Sequence, residues 1–278
     1  MKGRVSIVGS LNLDQVARID RWPDPGETIL GDAVGTFPGG KGFNQAVAAH
    51  RTGAAVTLCG AVGADANGTY LRGIITEVGL DDSYVGTSLN QPTAIAQIAA
   101  LPSGENSIVV IPGANLTIEV EHAIAAVQSA DIVLLQLEIH PDTVMAVLGA
   151  ARLAGKRTML NAAPAQAATD EMLALVDLLV VNETELATLG GLDRVMKTGL
   201  RDVVVTLGAQ GAYWTSGDGE RVAVSAFKIE PVDTTGAGDA FCGTLAASLA
   251  AGLGKKAAME RATAAGAERR HARRVQCQ

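Results

Sequence analysis

A basic surplus, long apolar runs, paired cysteines and metal-spaced histidines are all missing from this sequence, and each absence removes a class of function. Lys and Arg number 22 against 29 Asp and Glu, for a formal charge of −7. No basic stripe is therefore available for a nucleic-acid backbone. No apolar run approaches the ~20 residues of a membrane-spanning helix. The opening "MKGRVSIVGSLNLD" reaches Asn12 and Asp14 before a secretory h-region could form. Cys59, Cys242 and Cys277 share no C-x-x-C spacing and cannot all pair; buried reduced thiols are the plain reading. His50, His122, His140 and His271 are scattered without metal spacing. No G-x-S-x-G nucleophile turn occurs. These absences lead us to expect no nucleic acid, no membrane, and a reducing cytoplasmic location.

Two nucleotide motifs also fail. "GTFPGGKG" (35–42) nearly spells a P-loop, but Gly42 offers no hydroxyl where that loop needs Ser or Thr. The turn after the first strand, "GSLNLD", has one glycine where a dinucleotide fingerprint has three, which disfavours a dehydrogenase.

What is present is ordinary globular composition, 48% apolar and 18% charged with nine Pro, on a length suited to one large domain. Strand-like runs at 5–10, 55–63, 130–138, 156–164, 177–185 and 201–212 alternate with helix-like stretches. Among the latter are 43–53, closing on Gly53, and 67–80, with an Asn N-cap. Such alternation predicts a parallel sheet covered on both faces. Ligands collect at the carboxyl ends of such strands, where Asn12, Asp14, Glu138, Asn182, Glu185, Thr206 and Gly208 fall. Residues 15–37 carry no helix signal, and 93–113 read as a hairpin turning at Pro102–Asn106. Together they predict a small sheet across the pocket mouth, acting as a lid or a dimer contact.

Four stretches carry chemistry, each with a plainer alternative. In "VDTTGAGDAF" (232–241) the N–H groups of Gly236, Ala237 and Gly238 form a nest aimed at negative charge, with Asp239 at its rim as a base. The alternative is an aspartate N-cap, which leaves the Gly-x-Gly unexplained. Gly39, Gly40, Lys41 and Gly42, followed by Asn44, allow close backbone approach and polar contacts, or form only a turn capping a helix. Asn12 and Asp14 can grip vicinal hydroxyls, or make an Asx-turn that shapes a loop. "NETE" (182–185) can orient magnesium-bound waters through Asn182 and Glu185, or is simply a capping box.

Together these residues resemble the ribokinase branch of the PfkB carbohydrate-kinase family. "GSLNLD", "PGETI", "GGKGFNQAVAA", "GADANG", "PGAN", "LLQLE", "NAAPA", "VNETE", "VTLGAQG" and "VDTTGAGDAF" occur in that family's order, from the start to about residue 265. The resemblance implies a ribokinase-like three-layer α/β/α fold over 1–278, with a central, mostly parallel sheet. It also implies a β-clasp lid, drawn from about 11–37 and 91–113, through which such proteins often dimerise. It implies ATP-dependent phosphorylation of a small sugar, D-ribose foremost, with another sugar or a nucleoside as alternatives. Asp239 would be the catalytic base, and Gly236, Ala237 and Gly238 the anion hole. Asn12, Asp14, Gly40, Lys41, Asn44 and Glu138 would join Asp239 in the sugar site. Asn182, Thr206, Gly208 and Gly211 would bind ATP, and Glu185 would hold Mg²⁺ through water. Asp233 and Thr234 would begin a K⁺ loop.

The chain departs from the family twice. The segment between "NETELATLGG" and "LRDVVVTLG" is short by much of a helix. Over 267–278 the chain passes into "ERRHARRVQCQ", where the family continues with a "TR-x-GA" segment and a closing helix. Out-of-frame GC-rich codons would give such text, and so would a solvated basic tail. The later adenine-wall and potassium residues have no counterpart there, which leads to an expectation of weak nucleotide affinity or of a sugar-binding protein with impaired catalysis.

Overall fold

The computed structural model describes residues 2–103, 105–227 and 236–271. Asp233, Thr234 and residues 272–278 lie outside them. Seven strands run parallel: β1 (Arg4–Val8), β4 (Ala55–Gly63), β5 (Tyr84–Ser88), β8 (Ile132–Leu135), β9 (Arg157–Asn161), β10 (Leu178–Asn182) and β11 (Asp202–Thr206). Two antiparallel strands, β12 (Ala212–Ser216) and β13 (Arg221–Val224), extend one edge. The order is β13-β12-β11-β10-β9-β8-β1-β4-β5.

A strand covered on both faces reads as a continuous apolar run, and β8 shows why. Its Ile132 and Leu134 join a core with helices α1 (Lys41–Arg51), α2 (Ala66–Glu77), α8 (Ala237–Ala250) and α9 (Lys255–His271). Val133 and Leu135 point the other way, towards α3 (Val120–Val127), α4 (Pro141–Leu153), α5 (Asp170–Leu173), α6 (Glu183–Thr188) and α7 (Leu192–Met196). Each such fully buried side chain contributes about 1.5–3 kcal/mol relative to exposure.

A second sheet, in the order β3-β2-β6-β7, is built from β2 (Asn12–Arg18), β3 (Asp32–Gly39), β6 (Ala94–Ala100) and β7 (Asn106–Ile111). Only Gly9, Ser10 and Leu11 separate it from the carboxyl end of β1. Leu13, Ala94, Ala96 and Ile98 are buried, while Ile108, Val109, Val110 and Ile111 are exposed.

Three local expectations need correction. The N-cap of α2 is Asp65 rather than Asn67: its Oδ1 accepts from the Gly68 N–H (2.8 Å), while Oδ2 accepts from the Thr93 N–H (2.8 Å). Residues 201–212 are not one strand, because the chain turns at Leu207–Gly211 and returns as β12. The strand reading of 177–185 ends at Asn182, which caps α6.

Helices α1 and α8 touch backbone to backbone. A Cβ placed on Gly243 would lie 2.2 Å from the Gln45 carbonyl oxygen and 2.8 Å from the Ala48 Cβ. On propensity alone, Gly→Ala inside a helix gains ~1 kcal/mol. Here the clash reverses the sign, so Gly243→Ala should cost about 3 kcal/mol in urea unfolding. A neutral or stabilised variant would refute the close contact.

Candidate active site at the strand ends

The first turn of α8 opens on Gly236, whose φ of 74° is left-handed. Helix-opening N–H groups have no intrahelical acceptor, so those of Gly236, Ala237 and Gly238 remain available to an anion. Among the described residues, a Cβ on Gly238 would meet no atom within 4 Å, so no packing contact there accounts for the glycine.

Asp239 is the third residue of this helix, so the N-cap alternative does not apply; Gly236 fills that place. Asp239 is 7% exposed. Its Oδ2 accepts from Asn44 Nδ2 (3.2 Å) and its Oδ1 from Gln45 Nε2 (3.0 Å). Gln45 Nε2 also donates to Asn161 Oδ1 (3.1 Å), and Gln136 Nε2 donates to Gln45 Oε1 (2.6 Å).

The start of α1 approaches the turn after β1 because glycine permits it. Gly40 has a φ of 90°, and a Cβ there would lie 2.7 Å from the Ser10 carbonyl oxygen. One on Gly42 would lie 2.5 Å from the Gly9 carbonyl carbon. The gain is a cluster: the Phe43 N–H donates to the Ser10 carbonyl (3.0 Å), and the Lys41 N–H to Glu138 Oε2 (3.3 Å). Ser10 Oγ donates to the same carboxylate oxygen at 2.5 Å. Lys41 is half-buried as a residue, and the Asp239 carboxylate holds its pKa above the ordinary lysine value. Burial opposes that rise, and Glu138 and Glu185 add to it.

Asn12 and Asp14 lie on β2, both buried, so neither shapes an Asx-turn. Asn115 Nδ2 donates to Asn12 Oδ1 (2.8 Å) and fixes which way that amide points. The Asp14 carboxylate lies against Gly39, where a Cβ would come within 2.4 Å of its Cγ.

Asn182 and Glu185 form the reciprocal capping box: Asn182 Oδ1 accepts from the Glu185 N–H and Glu185 Oε2 from the Asn182 N–H, both at 2.8 Å. Burial raises the Glu185 pKa, opposed by that N–H and by Lys41. Among the described residues no three His, Cys, Asp or Glu side chains gather as a metal cage. The donor set suits magnesium all the same, since this ion binds through one or two carboxylates, waters and substrate phosphates. Thr206, Gly208 and Gly211 meet Gly238 and Phe241 around a cavity of about 70 Å³ among the described residues. A larger one, about 800 Å³, lies at the opposite strand ends, beside Arg152, Arg157 and Arg201.

Ser10, Gln45, Asn115, Gln136 and Asn161 escaped the sequence reading. Gln136 carried a signal, being a lone amide inside the apolar run "VLLQL".

The family model described as pfkB family carbohydrate kinase matches residues 2–276. The chain is 35% identical over 265 residues to a ribokinase of Staphylococcus aureus, covering 90% of this chain and 87% of that one. A ribokinase structure from Giardia lamblia has a TM-score of 0.88 at 26% identity, covering 98% of this chain and 94% of the other. A ribokinase structure from Arabidopsis thaliana, complexed with ribose and ATP, has a TM-score of 0.84 at 29% identity, covering 96% and 92%.

Two thiols near this region are shut off from chemistry. Burial pushes the Cys59 thiol up to about 12, and raises Cys242 further, with the Asp239 charge adding to the effect. A thiol reagent at pH 8 should therefore modify at most one of the three cysteines in the folded chain and all three after unfolding. Rapid modification of two in the native protein would contradict that burial.

Proposed function

That the chain belongs to the pfkB family of carbohydrate kinases is the premise from which we propose that it phosphorylates the primary hydroxyl of a small sugar from ATP, D-ribose giving ribose 5-phosphate. The observation that carries the site assignment is Asp239, buried one residue beyond the amides that open α8 at a left-handed Gly236.

Asp239 takes the hydroxyl proton as the acceptor oxygen attacks the γ-phosphorus in line. The N–H groups of Gly236, Ala237 and Gly238 receive the charge spreading over the equatorial oxygens. Asn12, Asp14, Gly40, Lys41, Asn44 and Glu138 hold the sugar, so that one hydroxyl lies against Asp239. Asn182, Thr206, Gly208 and Gly211 hold the nucleotide, and Glu185 would bind magnesium through water, which supplies charge neutralisation on the phosphates. The second sheet covers the sugar as a lid of one domain spanning 1–278, and excludes water so that ATP is not hydrolysed. Asp233 and Thr234 carry the potassium proposal. The narrow described cleft at Thr206–Gly211 and the Arg-rich end at 267–278 support weak ATP binding. Two buried unpaired thiols suit a reducing, cytoplasmic location.

Exposed Ile108, Val109, Val110 and Ile111 support a homodimer through the lid. Val109→Asp should then halve the mass measured by sedimentation, whereas an unchanged mass would place any dimer elsewhere.

ADP release with ribose, with and without potassium, tests the main reading, and a panel of sugars and nucleosides tests its specificity. Asp239→Asn should lower kcat by about 10²–10⁴-fold with little change in sugar binding. Near-normal turnover in that variant would remove Asp239 from the base role. Sugar that raises the melting temperature without forming phosphorylated product would identify a binding protein instead.

A further inference from the structure

We infer that Gln45 is a positioning residue for the base: through a buried chain of amides it fixes the plane of the Asp239 carboxylate and turns Oδ2 towards the acceptor hydroxyl. The inference rests on the kinase reading above and adds to it a residue that touches neither sugar nor nucleotide.

Gln45 is fully buried on α1. Its amide is committed on three sides. One Nε2 proton goes to Asp239 Oδ1 and the other to Asn161 Oδ1, while Oε1 accepts from Gln136 Nε2. Asn161 is held in turn by its Nδ2 donating to the Val180 carbonyl (3.3 Å) of β10. The chain thus ties the base to two strands of the central sheet, β9 through Asn161 and β10 through Val180. These bonds also fix which end of each amide is which. Because Gln45 must donate to Asp239, its oxygen faces Gln136, and Gln136 must present nitrogen.

The two oxygens of Asp239 are consequently unequal. The bond from Gln45 to Oδ1 is buried, whereas that from Asn44 to Oδ2 is partly open. Gln45 therefore anchors the inner oxygen, and the outer one, on the partly open side, keeps a lone pair for the acceptor hydroxyl. A neutral amide suits this work. It orients the carboxylate without adding a second cation to Lys41, and it has no proton to surrender. A proton taken from the alcohol then stays on Asp239 and cannot pass inward. Among the described residues Gln136 Oε1 has no hydrogen-bond partner, although Gln136 is fully buried. Stability alone would replace such a group, so its presence fits a chain kept for orientation.

Two isosteric variants and one measurement on the unmodified protein test this. Gln45→Met removes the donor at nearly constant volume. It should lower kcat by roughly 10²-fold, as loss of orientation does, while the sugar KM changes by less than about threefold. Gln45→Glu sets a second carboxylate beside Asp239, and two such groups cannot both be ionised at neutral pH. Like charge raises carboxyl pKa values and catalysis needs Asp239 deprotonated, so the acid limb of kcat should move up by about one pH unit or more. Among the described residues the other charged or ionisable groups facing Asp239 are Lys41 on α1, Glu185 on α6 and Cys242 on its own helix, with Glu138 near Lys41. All are the same in both variants. A merely structural Gln45 would lower the melting temperature and leave kcat of folded Gln45→Met within about threefold.

Independently of activity, the Gln45 side-chain amide resonance of the unmodified protein should follow the Asp239 carboxyl titration, identified by its loss in Asp239→Asn. A resonance indifferent to that titration overturns the inference whether or not the variants fold and whether or not ribose is the substrate. An acid limb unmoved in folded Gln45→Glu, or kcat kept within about threefold in folded Gln45→Met, also overturns it. Absence of ADP release from the unmodified protein with every sugar tested would sink the kinase reading alone, leaving the resonance to decide this one.

Discussion

The contact on which the rest of the site depends is the one between α1 and α8 at Gly243, where one helix backbone meets the other without an intervening side chain. Asp239 lies one helical turn before Gly243, on the same face. The amides that hold its carboxylate come from Asn44 and Gln45, beside the carbonyl that Gly243 touches. A side chain at 243 would separate the helices, and Asp239 would lose both donors at once. The same logic applies at the turn after β1, where Gly40 and Gly42 let α1 begin against Ser10. Glycine here serves proximity, and proximity assembles the polar groups.

Such an assembly carries a cost. Gln45, Gln136 and Asn161 occupy volume that leucine or methionine would fill with better solvation energetics, and an unsatisfied buried acceptor costs about 1–3 kcal/mol. The cores on either side of the sheet offset this with ordinary apolar packing, in strands whose alternate residues serve opposite helix layers. The polar region is therefore a concession made where strand ends and helix starts meet.

The layered α/β fold was legible because buried parallel strands announce themselves as unbroken apolar runs between helical periods. The Gly-x-Gly before Asp239 was legible as more than an aspartate cap, since capping accounts for an aspartate but not for the glycines preceding it, and Gly236 is the N-cap. The amide chain was not legible. Gln45 and Asp239 are 194 residues apart in sequence, and nothing local to "GFNQA" distinguishes a glutamine facing water from one facing a carboxylate. Asp65 was missed as the cap of α2 for a related reason, since its second oxygen is engaged by Thr93, 28 residues away. Asn12 and Asp14 were read in the turn after the first strand, whereas both lie on β2. In "NETE" the capping box and a carboxylate near Lys41 and Asp239 proved compatible, as the cap uses Oε2 and leaves Oε1.

That short connection of Gly9–Leu11 has a mechanical meaning. Asn12 stands at the root of β2, and β2 is hydrogen-bonded on both sides within the four-stranded sheet. Anything that grips Asn12 and Asp14 holds the short arm of a lever whose long arm is the whole sheet. At ~3.3 Å per residue, β2 reaches about 20 Å from its root, so a tilt of about 5° there sweeps its far end through roughly 2 Å. The root of that sheet and the proposed sugar contacts are thus the same few atoms, so a ligand held there would act on the sheet at its fulcrum.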